Sequence, residues 1–136
     1  MNSANFKGWV CQDAQVKYTP TGKIYAYFTI AAPREFMNSE GQYLSDFIPC
    51  VLWNERKIEK IAQNIIKGTQ IIITGRMQSR TYIDKQENKH YILECIIQTI
   101  DFLLHTKNKT NQNETDTFNI FADDQHILDF PEPIEE

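Results

Sequence analysis

Only one stretch of this chain, Glu55 to Ile66, repeats apolar residues at helical spacing, with Ile58, Ile61, Ala62 and Ile65 three, one and three apart. The runs on either side alternate every second residue, the period of a pleated strand that buries one face. Phe6 to Tyr18 reads as a strand, and Thr19-Pro20-Thr21-Gly22 as a tight turn, because Pro20 presets φ at its second position. The return strand, Lys23 to Ala31, sets Ile24, Ala26, Phe28 and Ile30 against a more amphipathic face of Tyr25, Tyr27 and Thr29. A loop through Asn38, Ser39, Glu40 and Gly41 leads to a third strand, Phe47 to Trp53, where Pro49 lacks a backbone donor and predicts an edge or a bulge. The helix follows, with Asn54 as its expected cap and Gly68 past its end. Strands Gln70 to Ile83 and His90 to Leu104 complete the order, joined by a polar loop at Asp84 to Lys89. Three strands, one helix and two strands predict an all-β chain, a five-stranded partly open barrel of the OB-fold type with its helix between strands 3 and 4.

The charge divides at His105. Residues 1–105 carry 12 Lys+Arg against 10 Asp+Glu, a net of +2, and residues 106–136 carry 2 against 8, a net of −6, which together give the −4 of the whole. The acidic balance therefore belongs to the tail, and the body suits an anionic partner. Residues 106–121 have too little apolar content to offset the entropy of ordering and are expected to form a flexible polar linker. Residues 122–136 regain apolar side chains among acids, as a short recognition peptide would. The domain expectation is thus 1–105, 106–121 and 122–136. Cys11, Cys50 and Cys95 are too far apart for a zinc spacing and odd in number, so buried free thiols are expected. No apolar run nears the roughly 18 residues of a membrane helix, and no signal-peptide core is present, which predicts a cytoplasmic protein without membrane partners.

Lys67 to Tyr82, KGTQIIITGRMQSRTY, places Arg76, Gln78, Arg80 and Tyr82 on one face of a strand. Guanidinium groups pair with phosphates and an exposed ring stacks on an unpaired base, the two contacts of sequence-tolerant single-strand binders. Phe47 and Trp53 repeat the aromatic element six residues apart. Rings on strands are more often core than surface, but Ile48, Cys50 and Leu52 already supply an apolar face opposite them. Phe36, Phe47, Trp53 and Tyr82 are therefore the stacking candidates. Lys23, Arg34, Arg56 and Lys67, continued by Arg76, Arg80, Lys85 and Lys89, are candidates for a phosphate track. Catalysis finds no support in the sequence, since His90, His105 and His126 stand apart and no phosphate loop or H-E-x-x-H run occurs. Neither a metal nor a cofactor is expected. A nuclease using Asp13, Asp46 and Asp84 is a distant alternative, and an OB-fold module for RNA or primosome assembly a nearer one.

The segments VKYTPTGKIYAYFTIA, DFIPCVLWNE, NIIKGTQIIITGRMQSRTY and HYILECIIQTIDFL, in this order over roughly residues 5–104, resemble the bacterial single-stranded-DNA-binding protein family. The resemblance implies an OB-fold protomer in a homotetramer, with DNA wrapped around it and bases stacked on four rings, at the positions of Phe36, Phe47, Trp53 and Tyr82. It also assigns Lys67 and Arg80 to a basic surface and implies roles in replication, recombination and repair. The acidic tip is similar to one that recruits replication and repair proteins, through Asp123, Asp124, Ile127, Leu128, Asp129, Phe130 and Pro131. Here Phe130 precedes Pro131 and six residues follow it, whereas the family tip ends on Pro and Phe. Trp9 stands where a polar or basic residue is common in that family.

Overall fold

The computed structural model describes residues 1–53 and 56–104. Six strands and one short helix occur there: β1 (Ala4–Val10), β2 (Gln15–Tyr18), β3 (Ile24–Met37), β4 (Tyr43–Trp53), α1 (Ile58–Ala62), β5 (Gln70–Ile83) and β6 (Lys89–Leu104). The strand order is β1-β5-β6-β4-β3-β2, and an extra pairing of β1 with β3 closes it into a barrel. Two seams are short. β1 meets β3 at Trp9↔Ala31 and Val10↔Ile30, and β4 meets β6 in parallel at Cys50↔Cys95 and Val51↔Ile96. This is the OB-fold arrangement, with the helix between β4 and β5.

The single strand expected over Phe6–Tyr18 is split by a bend at residues 11–14, so five expected strands become six. Backbone bonds at the bend turn to the segment before β5: Val10 N–H reaches Thr69 O at 2.9 Å and Ala14 N–H reaches Ile65 O at 2.8 Å. Asp13 Oδ1 accepts from Lys67 N–H at 2.9 Å. The bend lets the first half pair with β5 and the second with β3, which a straight strand could not do.

Alternating residues on four strands build the core: Ala26, Phe28 and Ile30 of β3, Cys50 and Leu52 of β4, Ile71 and Ile73 of β5, and Cys95 and Ile97 of β6. Each fully buried Leu, Ile or Phe contributes about 1.5–3 kcal/mol. All three cysteines are buried and free, and burial pushes the Cys50 thiol well above its ordinary pKa. The helix is shorter than expected. Its Ile58 and Ala62 are buried, but Asn64 and Ile65 bond back three residues, to Ile61 O and Ala62 O, and this tighter winding drops Ile65 into the core. The expected cap, Asn54, lies outside the described residues, and Gly68, at φ 87°, turns the chain into β5. Pro49 makes no bulge: it pairs with Thr29 in an unbroken ladder, one residue before the parallel seam with β6 begins. At Gly75 any Cβ would run into the Ile96 carbonyl, so β5 and β6 approach closely only because no side chain intervenes.

The β3–β4 hairpin is longer than its alternation suggests, since pairing continues past Ala31 to Met37↔Tyr43, with a register shift between Pro33 and Met37. Its turn is closed by Asn38, whose Oδ1 accepts from Glu40 N–H at 3.0 Å and Gln42 N–H at 2.9 Å. β5 matches its expected limits, and the β5–β6 register runs to Ile83↔Lys89 at the hairpin tip.

Candidate nucleic-acid interface

On the side of β3 and β4 away from the barrel core lies a second cluster, formed by Tyr25, Tyr27, Val51 and Ile96 with Trp53 packed against it. Cross-strand partners share a face, so Tyr25↔Trp53, Tyr27↔Val51 and Ala31↔Phe47 form one stripe. Tyr25 and Trp53 have ring centroids 5.0 Å apart at 46°. Trp53 is half-buried, and so is Phe47, which packs on Cys11 and Ala31. Each ring has one edge or face anchored in protein while the rest meets solvent, a form that can stack on a base without prior ordering.

The other two expected rings stand on hairpins. Phe36 is 80 % exposed in the shifted part of β3, beside a shallow depression that it lines with Arg34, Met37 and Leu44. Tyr82 is half-buried near the β5–β6 tip and stacks on His90, centroids 4.9 Å apart at 16°. His90, an isolated residue in the sequence, is in fact bound to Asp84, Nε2 to Oδ2 at 2.6 Å. That hydrogen bond, with help from the backbone N–H groups of Asn88 and Gln86, holds the Asp84 carboxyl below its ordinary pKa.

The cationic stripe needs one correction. Arg76, Gln78, Arg80 and Tyr82 do alternate along β5, opposite Ile96, Glu94, Ile92 and His90 of β6. Its middle is covered. Arg80 and Glu94 form an ion pair, Nε to Oε1 at 3.1 Å, with side-chain exposures of 2 % and 0 %. Arg80 is therefore a buried structural cation and not part of an open phosphate track. Burial raises the Glu94 carboxyl's pKa, with the Arg80 charge opposing that shift. Burial also raises the Tyr27 phenol well above its ordinary value, and the nearby Glu94 charge adds to it. Arg34 is exposed but engaged, its Nη2 2.7 Å from Asp46 Oδ1. Arg56, Lys67, Lys85 and Lys89 lie on the exposed surface, with the Lys89 Nζ 5.4 Å over the Tyr91 ring, while Lys23 and Arg76 are half-buried.

Sequence reasoning left out Tyr25 and Tyr27, although their alternation with Ala26 and Phe28 marked the face on which they lie. The three carboxylates of the nuclease alternative are separated by their partners: Asp13 bonds Lys67, Asp46 pairs with Arg34 and Asp84 with His90. Among the described residues no three His, Cys, Asp or Glu gather as metal ligands would, and no helix is long and apolar enough to cross a membrane. The tail candidates from Asp123 to Pro131, like His105 and His126, lie outside the described residues.

Residues 1–103 match the model of the "Single-strand binding protein family". The chain is similar to the "Single-stranded DNA-binding protein 3" of Streptococcus agalactiae, 32% identical over 124 residues that span 90% of this chain and 89% of the relative. It is also similar to the protein of that name in Listeria innocua, 32% identical over 86% of this chain and 76% of the relative. A solved structure described as "Plasmodium falciparum SSB complex with ssDNA" superimposes with a TM-score of 0.66 at 18% identity, covering 76% of this chain and 95% of that one, a likeness of fold.

Proposed function

This chain belongs to the single-strand binding protein family, and we propose on that premise that it binds single-stranded DNA with little sequence preference. Bases stack on Phe36, Phe47, Trp53 and Tyr82, and phosphates follow the exposed cations Arg56, Lys67, Lys85 and Lys89, with Lys23, Arg34 and Arg76 beside them. What most supports this reading is the unbroken β3–β4 register, which sets Phe47 and Trp53 on one outward face, each partly anchored and partly open.

The wider role we propose is that of a cytoplasmic, non-enzymatic protein that coats and protects single strands during replication, recombination and repair, as a homotetramer. Its acidic tip offers replication and repair proteins a short peptide of aspartates, Ile127, Leu128 and Phe130. Support for the tip is compositional and for the assembly lies in family membership.

Titration of labelled oligothymidine, followed by anisotropy for every variant and by intrinsic fluorescence for the parent, tests the core of the proposal. Stacking at Trp53 quenches the indole signal, and Trp53→Ala with Tyr82→Ala together remove about 2–6 kcal/mol, at least ~30-fold in affinity. An unchanged Kd in the double variant refutes the stacking reading. Equal affinity for the matched RNA points instead to an OB-fold module of another kind.

A further inference from the structure

At the β5–β6 tip a chain of contacts runs from the turn to the Tyr82 ring. Asp84 Oδ1 accepts from Gln86 N–H at 2.9 Å and Asn88 N–H at 2.8 Å, which fixes the carboxylate in the turn. Its Oδ2 meets His90 Nε2 at 2.6 Å. The imidazole, directly across the ladder from Tyr82, lies nearly parallel to the phenol at 4.9 Å and 16°. Turn, carboxylate, imidazole and phenol are thus connected in series, outside the barrel core.

We infer that His90, anchored by Asp84, is a positioning residue for Tyr82 that covers one face of the phenol and leaves the other for a single base. The inference rests on the reading of Tyr82 as a stacking ring. A phenol on an exposed hairpin with nothing behind it samples several rotamers, and a base that stacks on it has to order it. Immobilising one such side chain lowers affinity by about 2- to 12-fold. The imidazole removes that loss in advance, and it completes a stack of base, phenol and imidazole in which offset aromatic contacts add to one another.

Oligothymidine binding by the full chain tests this with single and double variants. The side chain of His90 is 44% exposed, so its substitution does not open the core. His90→Ala is expected to weaken binding by about 2- to 12-fold. His90→Phe keeps a ring behind the phenol and should stay within about 2-fold of the parent. In a Tyr82→Ala background, His90→Ala should change nothing further. Should His90→Ala fail to fold, His90→Ser, which likewise removes the ring from behind the phenol, replaces it with the same expected direction. The inference is overturned if His90→Phe binds as weakly as His90→Ala, or if His90→Ala causes the same loss without Tyr82. If Tyr82→Ala weakens binding and His90→Ala does not, the positioning role alone fails. If Tyr82→Ala has no effect, the stacking reading falls and takes this inference with it.

Discussion

Arg80 separates a structural cation from a phosphate ligand, and its substitution shows which it is. In Arg80→Met, the Glu94 carboxylate, fully shielded from solvent, loses the guanidinium that stands 3.1 Å from its Oε1. Removing one partner of a buried pair costs about 3–5 kcal/mol, because the remaining charge has neither a partner nor water. With a urea slope of about 2 kcal/mol per molar, the unfolding midpoint falls by about 1.5–2.5 M. Glu94 Oε2 already lacks a hydrogen-bond partner, so the pair is incompletely satisfied even in the parent. Replacing both residues with apolar ones of similar volume, as Arg80→Met with Glu94→Leu, should therefore recover most of the loss. The assay is urea unfolding at one fixed protein concentration, with oligothymidine affinity measured across salt for every folded variant. Arg80→Met should leave the salt dependence unchanged. A phosphate ligand would behave in the opposite way: an unmoved urea midpoint, and a slope of log K against log salt smaller by about 0.7. That result would refute the buried-pair reasoning.

Gly75→Ala forces a Cβ against the Ile96 carbonyl and should destabilise the barrel by about 1–3 kcal/mol or more, read as a lowered thermal midpoint; an unchanged midpoint would mean that β5 and β6 do not approach as described. The Asp84 carboxyl titrates below its ordinary 3.8 in the folded chain, so its support of the hairpin tip is complete above that value and is lost as pH falls through the depressed one. Amide NMR shifts of Gln86 and Asn88 should report a midpoint below 3.8, and a midpoint at or above 3.8 contradicts the pairing with His90. Deleting residues 106–136, which carry the net −6, should tighten oligothymidine binding at low salt and have little effect at high salt. Unchanged or weaker low-salt affinity counts against the tail as a competitor for the cationic surface.

Composition made β5 legible to the residue, because the β-branched run Ile71 to Thr74 leads into the alternating Arg76, Gln78 and Arg80 between a glycine turn and a polar loop. Periodicity stopped short on β3, where Pro33-Arg34-Glu35 has no apolar alternation. There pairing resumes at Met37↔Tyr43 after a register shift, with the Arg34–Asp46 pair and not apolar side chains spanning the strands, and only the Asn38 turn shows where it ends. In α1 the isoleucine spacing found the buried residues but not the length, since a tighter turn brings Ile65 inward as well as a longer helix would. Arg80 shows a limit of another sort. Alternation says which side chains share a face and nothing about what covers it. The polar loop at Asp84–Lys89 held a usable signal, because folding the strands about it sets Gln78 opposite Glu94 and brings an acid to the diagonal neighbour of Arg80. Tyr25 and Tyr27 were visible as an amphipathic face. Their use beneath Trp53 depended on the β3–β4 register, which the longer hairpin sets.

Between Phe47 and Trp53 the β3–β4 ladder runs without a slip, and an extended backbone can hardly lengthen or shorten. The two rings are graduations on a ruler, about 20 Å apart for six residues at the usual rise. Phe36, 80 % exposed on its hairpin, stands outside that ladder segment. A polynucleotide laid on this ruler must adapt its own step to a measure that does not yield, so the number of nucleotides between the two marks would be a property of the protein. Oligomers too short to reach both marks should bind in a separate, weaker class, with a break in affinity as a function of chain length.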